Sequence, residues 1–136
     1  MAFDLFGKKN VMDELGNVPP YKLLTEFVPY KLYANRKASS SLMIKLKNQT
    51  GEALMTSIVV ELPRQLSFGG IGIEKEKELR LGILGPNEEK EARIDVYGDS
   101  GTDAGEYTLG ITAFSHYRDY GHILNYVKKK VRLDVV

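Results

Sequence analysis

From Tyr21 onward the chain alternates hydrophobic and polar residues with a period of two, and Gly, Pro, Asn and Asp clusters interrupt the alternation roughly every ten residues. Period two sends successive side chains to opposite faces of an extended strand. Ser41 to Lys47 is the clearest case: Leu42, Ile44 and Leu46 share one face, and Ser41, Met43, Lys45 and Lys47 share the other. The run ends at Asn48-Gln49-Thr50-Gly51, whose residues favour a turn. Ala53 to Leu62 predicts the next strand, with Leu54, Ile58, Val60 and Leu62 opposite Met55, Ser57, Val59 and Glu61, and Pro63 stops it. Leu79, Leu81 and Ile83 predict a short strand before the turn Gly85-Pro86-Asn87-Glu88. Ala92, Ile94 and Val96 then alternate with Arg93, Asp95 and Tyr97, and two long strands follow, Glu106 to His116 and Ile123 to Val135.

Two stretches depart from the pattern. Phe27 to Asn35 reads as an opening edge strand broken by Pro29, since proline removes a ladder donor and is tolerated at an edge. Phe68-Gly69-Gly70-Ile71-Gly72-Ile73 is too glycine-rich for a central strand and predicts a crossing loop or a bulged edge. The tally is about seven strands and no internal helix, which predicts an all-β fold of two packed antiparallel sheets over residues 21–136. Residues 1–20 stand apart as an N-terminal extension, partly helical or flexible. Phe3, Leu5, Phe6, Val11, Met12 and Leu15 lie there among charges, and Val18-Pro19-Pro20 closes the segment.

Asp103-Ala104-Gly105-Glu106-Tyr107-Thr108-Leu109 resembles the D-x-G-x-Y-x-C signature of immunoglobulin-like domains, with Leu109 in place of the cysteine. The resemblance implies an immunoglobulin-like sandwich with a tyrosine corner, in which Asp103, Gly105 and Tyr107 are structural. A second likeness lies in Asn48-Gln49-Thr50-Gly51-Glu52, Leu62-Pro63 and Leu81-Gly82-Ile83-Leu84-Gly85-Pro86-Asn87-Glu88. Their layout is similar to that of CARDB and NEW3-like accessory β-sandwiches, with Asn87 where those domains carry a glycine.

Composition narrows the function. At 136 residues the chain is long enough to bury a core without staples, and with no cysteine it has neither disulfides nor a thiolate metal site. Its 19 Lys and Arg against 18 Asp and Glu leave a net charge of +1, which supplies no long-range field for polyphosphate, so nucleic acid is not the expected partner. Apolar runs such as Ser57 to Val60 are far shorter than the ~20 residues that cross a bilayer. Met1 to Lys9 lacks the order of a secretory signal, so a cytoplasmic location is expected. Glu- and Lys-rich stretches at 74–78 and 88–91 are of the kind enriched in heat-adapted proteins.

Candidate chemistry concentrates between the last two strands. His116, Tyr117, Arg118, Asp119, Tyr120 and His122 cluster there, and Tyr and Arg are enriched at binding hot spots, so the tip is the candidate recognition loop, with Tyr126 near it. Both histidines of the chain lie in this stretch, and the enzymatic alternative is a metal site built from His116, Asp119 and His122. Lys128, Lys130 and Arg132 predict a basic outer strand face, with Val127, Val131, Leu133 and Val135 inward and Lys129 the exception. Such a face is solvated or guards against edge pairing. A third reading lays Phe3, Leu5 and Phe6, backed by Lys8 and Lys9, on a membrane through residues 1–9. No nucleophile elbow and no phosphate-binding loop is present, and the carboxylates alternate with lysines in polar turns. The reading that follows is a non-catalytic protein-binding or scaffolding module without a cofactor, acting on a protein partner or by self-association.

Overall fold

The computed structural model describes residues 18–69 and 74–136. Within them the elements run β1 (Tyr21–Val28), β2 (Lys31–Leu32), β3 (Ala38–Asn48), β4 (Leu54–Glu61), β5 (Glu76–Leu84), β6 (Glu89–Gly98), β7 (Gly105–His116) and β8 (Ile123–Val135), with no helix among the described residues. They form two sheets, of order β1-β3-β6 and β2-β8-β7-β4-β5. Every pairing is antiparallel except β2 with β8.

The core lies between the sheets and is drawn from the alternation. Leu42, Ile44 and Leu46 of β3 and Ile94 and Val96 of β6 meet Ile58 and Val60 of β4, Leu109, Ile111 and Ala113 of β7, and Leu133 and Val135 of β8. Removing such side chains from water is the main stabilising term of the fold. The two longest predicted strands appear within a residue of their expected bounds.

The opening of the chain differs from expectation. Phe27 to Asn35 is not one strand: β1 ends at Val28, and β2 begins beyond Pro29 in the other sheet, which brings the total to eight. Proline cannot donate to a ladder, so the chain changes sheets there instead of continuing. In the 68–73 stretch, Phe68 is buried beside Leu66, and Ser67 bridges Tyr97. Residues 70–73 lie outside those described. Residues 1–17, which carry most of the predicted extension and the whole of the 1–9 membrane reading, lie outside them too.

One predicted strand changes face partway along. Thr56 pairs with Gly82 but Ser57 pairs with Arg80, so Leu81 is an extra residue in β5. An inserted residue reverses the parity of everything after it. Leu79 therefore packs on the core while Ile83, expected on the same face, points outward and is exposed, and Leu84 is buried in its place. Gly82 carries the bulge at φ 77°, a left-handed conformation that costs glycine little.

The turns at one end converge on Asn48, which is fully buried. Its Nδ2 donates to the carbonyls of Glu52 (2.7 Å), Leu84 (3.0 Å) and Gly85 (3.1 Å), and its Oδ1 accepts from the Thr50 N–H (2.8 Å) and hydroxyl (2.7 Å). Asn87, standing where the resembled domains have glycine, takes φ 61°; asparagine is among the residues that visit this region.

Candidate interaction surface

Cross-strand partners point to the same face, so the register identifies the outer face of the five-stranded sheet. Ile58 opposes Ala113 and Val60 opposes Ile111 on the core side. The intervening Ser57, Val59, Phe114 and His116 therefore face out. On β8 the same parity puts Tyr126, Lys128, Lys130 and Arg132 outside. Lys129 turns inward, and its Nζ donates to the Leu23 carbonyl of the other sheet at 3.3 Å.

Outward residues of a two-layer sandwich are ordinarily wet, yet Ser57 is 1% and His116 5% exposed. The β7–β8 connection covers them. Tyr120 meets the His116 ring edge-on at 5.0 Å between centroids, and Ser57 Oγ is hydrogen-bonded to His116 Nε2 at 2.7 Å beneath it. The Tyr120 hydroxyl accepts the Gly82 N–H at 3.0 Å, so the donor released by the β5 bulge is satisfied by the tip loop. Arg80 lies over the Tyr120 ring, its Cζ 4.6 Å from the ring centroid.

Asp119 organises the loop itself. Its Oδ1 accepts from the Gly121 N–H and from His122 Nδ1, each at 2.8 Å. The bond from His122 first, and that from Gly121 second, hold the exposed Asp119 carboxyl below its ordinary 3.8. Tyr117 N–H donates to the His122 carbonyl at 2.8 Å and closes the turn, with Arg118 at φ 70°. Arg118 lies over the exposed Tyr117 ring at 5.0 Å.

The sequence grouped His116, Asp119 and His122 as possible metal ligands, and the fold separates their bonds. His122 and Asp119 pair in the exposed loop, while His116 Nε2 is engaged by Ser57 on the sheet. Among the described residues no three His, Asp or Glu side chains converge as a metal set. His116 Nδ1 is buried and finds no partner there. Elsewhere, the Tyr107 hydroxyl donates to the Asp103 carbonyl at 2.6 Å, and Asp103 Oδ1 accepts from Asn35 Nδ2 at 2.9 Å. Lys128 stands 3.9 Å from Glu61, and Arg132 lies 3.6 Å from Glu106 and 3.2 Å from Asp134. The Tyr21 hydroxyl, 2.6 Å from Thr56 Oγ1, has its pKa raised by burial.

Ser57, Arg80, Gly82 and Phe114 also belong to this surface, although sequence reasoning did not select them. An isolated glycine inside a strand pattern is the signal that could have marked Gly82 as a bulge. A second exposed aromatic group, also not selected, lies at the opposite end of the sandwich. Lys31 Nζ is 5.6 Å from the Tyr30 ring and 5.7 Å from that of Tyr33, and Arg36 Cζ lies 5.4 Å from Tyr33.

The chain matches no protein-family model and no curated protein. Among solved structures it is similar to a FixG-related protein from Vibrio parahaemolyticus, at 12% identity and TM-score 0.55, over 87% of this chain and 98% of that one. It is similar to a CARDB domain from Pyrococcus furiosus, solved in complex with di-metal ions, at 18% identity and TM-score 0.53, over 88% of this chain and 90% of that one. It also resembles part of the alkylpurine DNA glycosylase of Pseudomonas fluorescens bound to DNA containing an abasic site analog, at 10% identity and TM-score 0.54. That match covers 86% of this chain but 30% of the glycosylase.

At such identities the likeness carries the fold and not the activity. The fold class is nonetheless plain: this is an immunoglobulin-like β-sandwich, and a CARDB domain stands among its structural neighbours.

Proposed function

We infer that this domain is a non-catalytic contact module, whose working surface is the outer face of the five-stranded sheet together with the 117–122 tip. One observation carries the reading. Ile83, Tyr117, Ile123, Leu124 and Tyr126 are each about half exposed or more, and they surround a tip loop held by Tyr120 over a buried Ser57–His116 pair. Apolar and aromatic side chains left in water on a braced support are what a binding hot spot requires. Ordering cost is already met in the free protein, so contacts made there convert to affinity more fully.

The Tyr107 contact with Asp103 supports reading this corner as the tyrosine corner of the resembled domains, with a structural role. The Ser57–His116 pair has the donor–acceptor geometry of a nucleophile and its base, but both side chains lie under Tyr120, away from any substrate. The Lys128, Lys130 and Arg132 face contributes charge at the margin of the same surface.

The test is affinity capture by native protein and by a Tyr117→Ala, Tyr126→Ala double variant of unchanged circular dichroism. The expected result is a defined partner, a copy of the chain included, that the double variant no longer retains. Equal recovery by both proteins overturns the reading.

A further inference from the structure

We propose that the partner is a second copy of this chain, docked outer sheet face to outer sheet face about a twofold axis that runs parallel to the strands between β4 and β7. The inference rests on the contact-surface reading above and names the occupant of that surface.

The argument comes from the register. Each cross-strand row on the outer face runs from β5 through β4 and β7 to β8. The first row begins at Glu76 and ends at Lys130, with Glu61 and Gly110 between. The next begins at Glu78 and ends at Lys128. A third joins Arg80 to Tyr126, and the last joins Ile83 to Ile123. Acid therefore lines one edge of the face and base the other in two successive rows. The two rows nearer the tip end in a cation facing an aromatic ring and in two isoleucines.

Within one chain the ends of a row are three strand spacings apart, about 14 Å. That exceeds the ~8 Å over which exposed charges act at physiological salt, so they do not satisfy each other. A twofold axis along the strands reverses the order of strands without changing the level along them. It sets β5 of each copy over β8 of the other, and every row then meets its complement. Glu76 faces Lys130, Glu78 faces Lys128, Arg80 faces Tyr126 and Ile83 faces Ile123, each twice. A self-complementary patch of this kind is what an isologous dimer needs.

The shape agrees with the charge. Between the acidic and basic edges lies a basin of ≈ 380 Å³ over Val59 and Thr112, bounded by Phe114 and Tyr126. Tyr120 reaches from His116 on β7 to Gly82 and Arg80 on β5, so in the two rows nearest the tip the loop, and not the bare sheet, meets the other copy between the row ends. The internal ion pairs of the face, Arg80 with Glu78 at 3.4 Å and Lys128 with Glu61 at 3.9 Å, are exposed and cost little to exchange. Four strands over about eight residues of rise span roughly 400 Å², part of it under the tip loop. This lies below the ~800 Å² per partner of a standard stable interface, so the dimer is reversible and concentration-dependent.

Sedimentation equilibrium of the full chain tests this. The native protein is expected to show a concentration-dependent dimer that weakens with added salt. Lys128→Glu with Lys130→Glu, and separately Glu76→Lys with Glu78→Lys, each place like charges opposite one another and should weaken it roughly tenfold or more. An equimolar mixture of the two variants restores all four complementary contacts, and dimer should return. All four positions are exposed, and circular dichroism of each variant checks the sheet. A native chain that stays monomeric, variants that dimerise undisturbed, or a mixture that does not recover overturns the proposal. If the native chain is monomeric while the Tyr117→Ala, Tyr126→Ala protein still loses a captured partner, self-pairing fails and the contact-surface reading stands. If that protein loses nothing either, both fail.

Discussion

The outer faces of the two sheets are built from the same alternation and differ in what supports them. On the three-stranded sheet the outward residues pair at the surface: Lys45 with Glu91 at 3.7 Å, Arg93 with Asp95 at 3.4 Å, and Ser41 donating to Asp95 at 2.8 Å. The two ion pairs are exposed, the Ser41–Asp95 bond is half-buried, and all three rest on nothing but their own strands, so water replaces the ion pairs at little cost. On the five-stranded sheet two outward polar side chains are sealed by a loop, an aromatic ring and a guanidinium. Alternation decides which side of a sheet a residue faces. Whether that side is wet is decided by what the connections fold over it.

The sharpest break of the comparison is Tyr120→Ala. It uncovers the Ser57–His116 pair and leaves the Gly82 N–H without its acceptor, and should lower stability by about 2 kcal/mol in denaturant unfolding. Tyr107→Phe removes a single hydroxyl contact at the opposite end and should cost about 1 kcal/mol by the same measurement. Lys45→Ala or Glu91→Ala, on the solvated face, should change stability by less than about 0.5 kcal/mol. An equal loss at Tyr120 and Lys45 would erase the distinction between the faces.

A smaller effect concerns pH. Asp119 has a folded-state pKa held below its unfolded value by its bonds from His122 and Gly121. A depressed carboxyl contributes stability that is fully present above the unfolded value of 3.8 and is lost as pH falls through the lower folded value. The stability difference between native protein and Asp119→Asn should therefore shrink in that acid window. A difference that persists below it would mean that Asp119 acts on the loop through something other than its charge.

Much of this architecture is readable without coordinates, because burial on one face imposes period two and turns need particular residues. Leu42, Ile44 and Leu46, the Pro63 stop and the two closing strands all follow from that. The surface is less legible. The tip is legible as a cluster of residue types, but chain spacing groups His116 with Asp119 and His122, when its hydrogen-bond partner is Ser57 in β4. A parity count along Leu79, Leu81 and Ile83 puts all three on one face and misses that Ile83 points the other way, because one bulged residue is invisible to it.

What the sequence determined by itself is therefore what local chemistry can set: the strands, their inward faces, their turns and the basic outer edge of β8. What tertiary structure alone decided is which strands lie side by side. Adjacency in a sheet joins residues far apart in the chain, such as Ser57 to His116 and the acidic row ends of β5 to the basic ones of β8, and no spacing along the sequence encodes that distance.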